Sequence, residues 1–150
     1  MFRGHCHHTI DQKGRISFPA RFREQLEARG TSRLVMTPSL FDACLDVYAI
    51  AEWEQEVEEE LVRNRGLDPD TLRYRRLYVS RAVDVDLDKT GRVLVPQELR
   101  AAAGLEREVL WVGSLTKIEL WSKAGWEQYL SQTPEQYEEF KRNVQERYKQ

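Results

Sequence analysis

Apolar and polar residues alternate over short stretches through much of this chain, and twice they do so around the same polar phrase. Ile10, Ile16 and Phe18 flank Asp11-Gln12-Lys13-Gly14-Arg15, while Leu87, Val93 and Val95 flank Asp88-Lys89-Thr90-Gly91-Arg92. Alternation of period two predicts short strands on either side of a tight turn. Asp at the first position and Gly at the fourth suit a type I turn closed by a left-handed residue. The Asp11 and Asp88 carboxylates can accept hydrogen bonds from the turn's own N–H groups, and Gly14 and Gly91 supply positive φ. Each phrase then runs through Pro19 or Pro96, suited to a helix's first turn, into ARFREQLEARG or QELRAAAG. These predict short helices stopped by Gly30 and Gly104. RLVMTPSLFDACLDVYA and EVLWVGSLTKIELW predict a further hairpin in each half.

The two stretches superpose at an offset of 77, matching Asp11, Gly14, Arg15, Pro19, Phe22 and Arg23 with Asp88, Gly91, Arg92, Pro96, Leu99 and Arg100. The offset shrinks to 73 by the time Leu45-Asp46-Val47-Tyr48 meets Ile118-Glu119-Leu120-Trp121. The chain is therefore a duplicated module. The period lengthens after each copy. Trp53, Val57 and Leu61 fall at helical spacing, and a second helix is expected in DPDTLRYRRLYVSRA with Asp68 or Asp70 as its N-cap. TPEQYEEFKRNVQERYKQ carries the same start signal and sets Tyr137, Phe140, Val144 and Tyr148 on one face. The resulting division is residues 1–53 for the first module, 54–80 for a helical connection, 81–126 for the second module and 127–150 for a C-terminal helix. Neither module holds enough residues for a comfortable core alone, so a pseudo-twofold unit of both copies is the economical reading.

Composition adds bounds. In 150 residues, 41% are apolar and 32% charged, enough for a core beneath a polar surface. The chain has no apolar run of transmembrane length and no readable secretory signal. Two cysteines, Cys6 and Cys44, make no disulfide framework, so a reducing cytoplasm is expected. The net charge of −2 hides an uneven distribution: residues 1–33 hold seven basic against three acidic residues, 42–60 hold eight acidic and no basic ones, and 63–92 hold eight basic against five acidic. Positive charge thus gathers around the repeated phrases, and screening limits its reach to about 8–10 Å.

Arg15 and Arg92 each follow a positive-φ glycine, a place suited to presenting a guanidinium to a phosphate or a guanine edge. Lys13 and Lys89 sit in the same turns and would add phosphate attraction. Alternatively each Arg pairs with its own Asp and staples the turn, and the spacing does not choose between these readings. HCHH at 5–8 invites a metal, but alternation on a strand splits His5 and His7 from Cys6 and His8, so no metal site is expected. Cys44, in an apolar hairpin, reads as a small hydrophobe. EQEVEEE reads as a solvated helix face, available to basic residues of a neighbouring subunit. The four tryptophans, Trp53, Trp111, Trp121 and Trp126, read as core or subunit interface. With no nucleophile–base pair, metal cluster or phosphate loop, an enzyme is the weakest reading.

The phrase D-x-x-G-R-(x)3-P, with Arg23 or Arg100 following, resembles the motif of AbrB/SpoVT-type swapped-hairpin DNA-binding domains. Two copies, opening on MFRG and carrying DKTGRVLVPQELR, resemble the bacterial MraZ family across essentially the whole chain. That resemblance implies an α+β, mainly β fold, with two tandem modules forming a pseudo-twofold double-psi/swapped-hairpin barrel and a helix following each. It implies a nucleoid-associated cytoplasmic transcription regulator that binds short direct repeats of double-stranded DNA before the division and cell-wall gene cluster. A homo-oligomeric ring of eight or more subunits is implied as well, with no cofactor, membrane or small-molecule substrate. The DNA-binding residues implied are Arg15, Lys13, Arg92, Lys89, Arg3, Arg23 and Arg100, around turns shaped by Asp11, Gly14, Asp88 and Gly91. Three residues before each motif Asp, His8 and Val85 differ, so the copies need not act alike, and the first, richer in charge through Arg3 and Arg21, is expected to lead. The competing reading is an oligomeric protein-interaction module whose Asp–Arg turns serve assembly.

Overall fold

The computed structural model describes residues 1–64 and 68–149. In the first copy β1 (His5–Thr9), β2 (Arg15–Ser17), α1 (Ala20–Ala28), β3 (Arg33–Pro38) and β4 (Cys44–Ala49) follow one another. A helical stretch continues as α2 (Ile50–Trp53), a π-helical turn (Glu54–Glu58) and α3 (Glu59–Arg63), and returns as α4 (Pro69–Tyr74) and a second π-helical turn (Arg75–Val79). The second copy repeats the plan as β5 (Val83–Asp86), β6 (Arg92–Leu94), α5 (Gln97–Ala102), β7 (Glu108–Ser114) and β8 (Lys117–Ser122), closing with α6 (Lys123–Leu130) and α7 (Pro134–Tyr148).

Strands flanking each motif turn do not pair with each other; they pair with the other copy. The large antiparallel sheet runs β1-β7-β8-β4-β3-β5, and β2 pairs with β6 in a separate two-stranded ribbon. His7 faces Leu110 across β1–β7, and the equivalent Asp84 faces Val35 across β5–β3. Ile16 faces Val93 across β2–β6, so the pseudo-twofold axis passes through that pair and between β4 and β8. The exchange of hairpins expected from the motif is thus present, in an α+β fold. Among the described residues the large sheet stays open, with β1 and β5 as its edges, rather than closing as a barrel.

Period-two alternation decides which side chains face inward. Leu34, Met36, Leu45, Val47, Trp111, Ile118 and Leu120 point to one face of the sheet, where Ile16 and Val93 of the ribbon, Phe22 and Leu26 of α1 and Leu99 of α5 complete the main core. Val35, Tyr48, Trp53, Val57 and Tyr78 form a second cluster on the opposite face, beneath the helical connection. β4 is buried on both faces, which explains its near-continuous apolar run. Asp68 caps α4 by accepting from Thr71 N at 3.0 Å, and Thr133 with Gln136 forms a capping box on α7.

Candidate nucleic-acid interface

The site begins with the two turns. Asp11 Oδ1 accepts from Lys13 N and Arg15 N, both at 2.9 Å, while Asp88 Oδ1 accepts from Thr90 N and Arg92 N at the same distance. Gly14 and Gly91 take φ of 87° and 78° and donate their N–H groups to Asp11 O and Asp88 O at 3.0 Å. These backbone donations, those of Arg15 and Arg92 foremost, hold both carboxyls below the usual carboxylate range, with Asp88 at about 2. The turn the sequence predicts is the turn observed.

Both readings of the motif arginine meet here. Arg15 Nε donates to Asp11 Oδ2 at 2.9 Å and Arg92 Nε to Asp88 Oδ2 at 3.1 Å, so each guanidinium does staple its turn. Among the described residues, however, the two Nη atoms of either arginine have no hydrogen-bond partner, and both side chains remain more than one-third exposed. The carboxylate orients the guanidinium and leaves its outer edge open.

Register then gathers the turns onto one surface. Arg15 lies opposite Leu94 and Ser17 opposite Arg92, so Arg15 and Arg92 are diagonal neighbours on the outward face of the ribbon. The inward face is Ile16 and Val93, both 1% exposed. Each turn also receives a side chain from the opposite copy. Arg100 donates from Nε to Val95 O at 3.1 Å and lies over Gly14, while Arg23 lies over Gly91. Phe18 N donates to Gly91 O and Val95 N to Gly14 O, tying each turn into the other copy's strand. Trp111 Nε1 donates to Ser17 O at 3.0 Å and fastens the ribbon to the large sheet.

Of the residues the sequence pointed to, the structure brings Lys13, Arg15, Lys89, Arg92, Arg23 and Arg100 together around the ribbon. Arg3 lies at the far end of β1, beside the Phe2–Leu115 bridge. Arg21 is engaged with His5 O and Cys6 Sγ, both at 3.0 Å. Three of these six cations come from each copy. The composite turns are what sequence reasoning missed; equal placement of Arg23 and Arg100 after each glycine was the available signal, but it does not reveal that each serves the other's turn.

A second polar group, also missed, sits on the opposite face at the axis. Asp46, 3% exposed, receives Lys117 Nζ at 2.9 Å and Tyr78 OH at 2.6 Å, and Tyr48 OH lies 3.1 Å from Tyr78 OH. Cys44 is buried as expected but in polar company, close to Asp46 and Glu119; burial and those carboxylates push its thiol well above the usual range. Lys117 already supplies the cation between the carboxylates, 3.6 Å from Glu119. Burial works against the Lys117 ammonium, yet the attraction of Asp46 outweighs it and raises its pKa.

The family model described as "MraZ protein, putative antitoxin-like" matches residues 1–70 and 79–147. A transcriptional regulator MraZ of Azotobacter vinelandii is 43% identical over 126 residues, 84% of this chain and 82% of its own. One from Moorella thermoacetica is 43% identical over 138 residues, 92% of each chain. Another, from Caldanaerobacter subterraneus, is 40% identical over 139 residues, 93% of each.

Proposed function

We propose that this chain, which belongs to the MraZ family, is a transcription regulator that holds double-stranded DNA against the outward face of its β2–β6 ribbon. The observation that carries the proposal is the diagonal placement of Arg15 and Arg92 on one exposed ribbon face, each oriented by its own Asp with its Nη edge open. A two-stranded ribbon fits the major groove, where an arginine can read guanine bidentately. Lys13 and Lys89, at the turn tips, then meet phosphates, and Arg23 and Arg100 support the turns from behind.

One chain offers few contacts, so single-site binding is weak. A ring-shaped oligomer of eight or more subunits on short direct repeats, upstream of the division and cell-wall cluster, converts weak contacts into avidity. The relatives' shared name, transcriptional regulator, supports the regulatory role. Action is at the nucleoid.

The test is fluorescence anisotropy with the DNA upstream of the chain's own gene and a scrambled duplex, across several salt concentrations. Preference for the native duplex is expected, with log K falling steeply and linearly against log salt. Equal affinity for both duplexes overturns sequence-specific recognition. Replacing Arg15 and Arg92 together by Ala should weaken specific binding about tenfold or more while the oligomer persists. The Asp11–Arg15 and Asp88–Arg92 ion pairs favour one rival, an assembly module whose turns hold subunits together; collapse of the double variant to monomers would establish that rival.

A further inference from the structure

Strand alternation leaves four side chains on the outward face of the β2–β6 ribbon: Arg15 and Ser17 from β2, Arg92 and Leu94 from β6. The internal repeat matches Arg15 with Arg92, and it also matches Ser17 with Leu94, which are chemically unlike. The pseudo-twofold face is therefore broken at one pair. Leu94 stands directly opposite Arg15 and two residues beyond Arg92, while Ser17 stands opposite Arg92. Leu94 is 56% exposed and belongs to neither apolar cluster, although Val93 beside it is 1% exposed. The core does not account for a leucine at this place.

We propose that Leu94 is a specificity-determining residue, packing against the 5-methyl group of a thymine close to the guanine that Arg15 reads. The inference rests on the proposed binding of DNA to this ribbon. Its neighbours select the occupant. An apolar protein surface laid on Leu94 would strip water from two guanidinium groups without pairing them, at a cost that burying one leucine does not offset. The major groove meets both needs: phosphates and guanine edges take the arginines, and the thymine methyl is the apolar group presented there. Directly opposed residues of an antiparallel pair have Cβ atoms about 5 Å apart, and successive bases of a strand rise by about 3.4 Å. The thymine therefore lies one or two steps from that guanine. Ser17, able to donate or accept, makes no such demand beside Arg92. The two ends of the ribbon are thus unlike in what they read, despite their matched arginines.

Uracil lacks the thymine 5-methyl and keeps its hydrogen-bonding groups, so the contact can be deleted from the DNA itself. The duplex upstream of the chain's own gene is titrated against the full chain by fluorescence anisotropy, with its thymines replaced by uracil all together and then at one position per repeat. Wild-type protein should bind the fully substituted duplex about three- to fivefold more weakly, and one position near a guanine should carry the loss. Leu94→Ala, at an exposed position, should bind the thymine and uracil duplexes alike. Ser17→Ala should retain the wild-type preference for thymine. Wild-type affinity unchanged by uracil overturns the proposal, as does a uracil penalty that persists in Leu94→Ala or disappears in Ser17→Ala. Each of those results leaves the preference for native over scrambled duplex intact. Equal binding of native and scrambled duplexes overturns the DNA reading of the ribbon and this inference with it.

Discussion

A methyl group added at Gly91 would overlap Arg23 Nη1, and one at Gly14 would meet Arg100 and Val95 O at 3.0 Å, whereas at Gly30 it would touch nothing within 4 Å. All three residues have positive φ. Ala at any of them should therefore cost about 1–2 kcal/mol for the left-handed backbone, but at Gly91 it should also displace Arg23 and weaken DNA binding. Thermal melts paired with anisotropy check this, with Gly30→Ala as the control that alters stability alone. The Asp88 carboxyl gives a second handle. Its folded pKa, about 2, lies below the ordinary value of 3.8. Its contribution to the turn is therefore complete above the ordinary value and is lost as pH falls through the folded one. A carboxyl-detected NMR titration should place the midpoint near the lower figure, with turn amides shifting in step. These residue-scale features were legible in the phrase DxxGR, because turn chemistry is local and a few positions decide it. Whether each arginine pairs with Asp or reaches outward was not legible, since the guanidinium does both with different nitrogens.

Elements were legible more fully than their partnerships. Hairpins β3–β4 and β7–β8, both short helices and the amphipathic α7 all stand where periodicity set them. The pairing of β1 with β7, β5 with β3 and β2 with β6 was beyond periodicity, because alternation tells which face a residue takes but not whose strand lies beside it. Two copies with the same pattern fit within or between halves equally well; the motif resemblance, not the pattern, pointed to exchange. Trp111 joins the ribbon to the large sheet, and Trp111→Phe should cost about 1–3 kcal/mol by leaving Ser17 O without its donor, detectable in chemical denaturation. Asp46 is an acid in the middle of an apolar strand, a visible anomaly whose partners come from β8 and the returning helix. Lys117→Met removes its cation and should destabilise the fold by about 3 kcal/mol, again by denaturant titration.

At the scale of the whole molecule, duplication replaces a dimer. Every edge of the first copy's ribbon and sheet that needs a partner finds it in the second, so each half is missing strands by itself. Residues 1–80 and 81–150 made as separate chains should each lack stable tertiary structure and should regain it on mixing, as followed by near-ultraviolet circular dichroism. The net charge of −2 gave no hint of a cationic ribbon, because the balancing acids sit elsewhere, mainly on the solvated face of α2–α3. Among the described residues no helix is long and apolar enough to cross a membrane.

Strand exchange between copies also bears on how the chain is made. His5 pairs with Val112, so β1 leaves the ribosome first and waits for a strand translated near the end. During that interval β1 and β2 lie unpaired, as do the outer edges of the β3–β4 hairpin, and β7 of a neighbouring nascent chain on the same message offers the same register as the chain's own. The intermolecular product differs from the correct one only in which polypeptide supplies the second copy. Heavy translation of a single message therefore favours interlocked chains, and slow translation across the helical connection favours the self-contained fold.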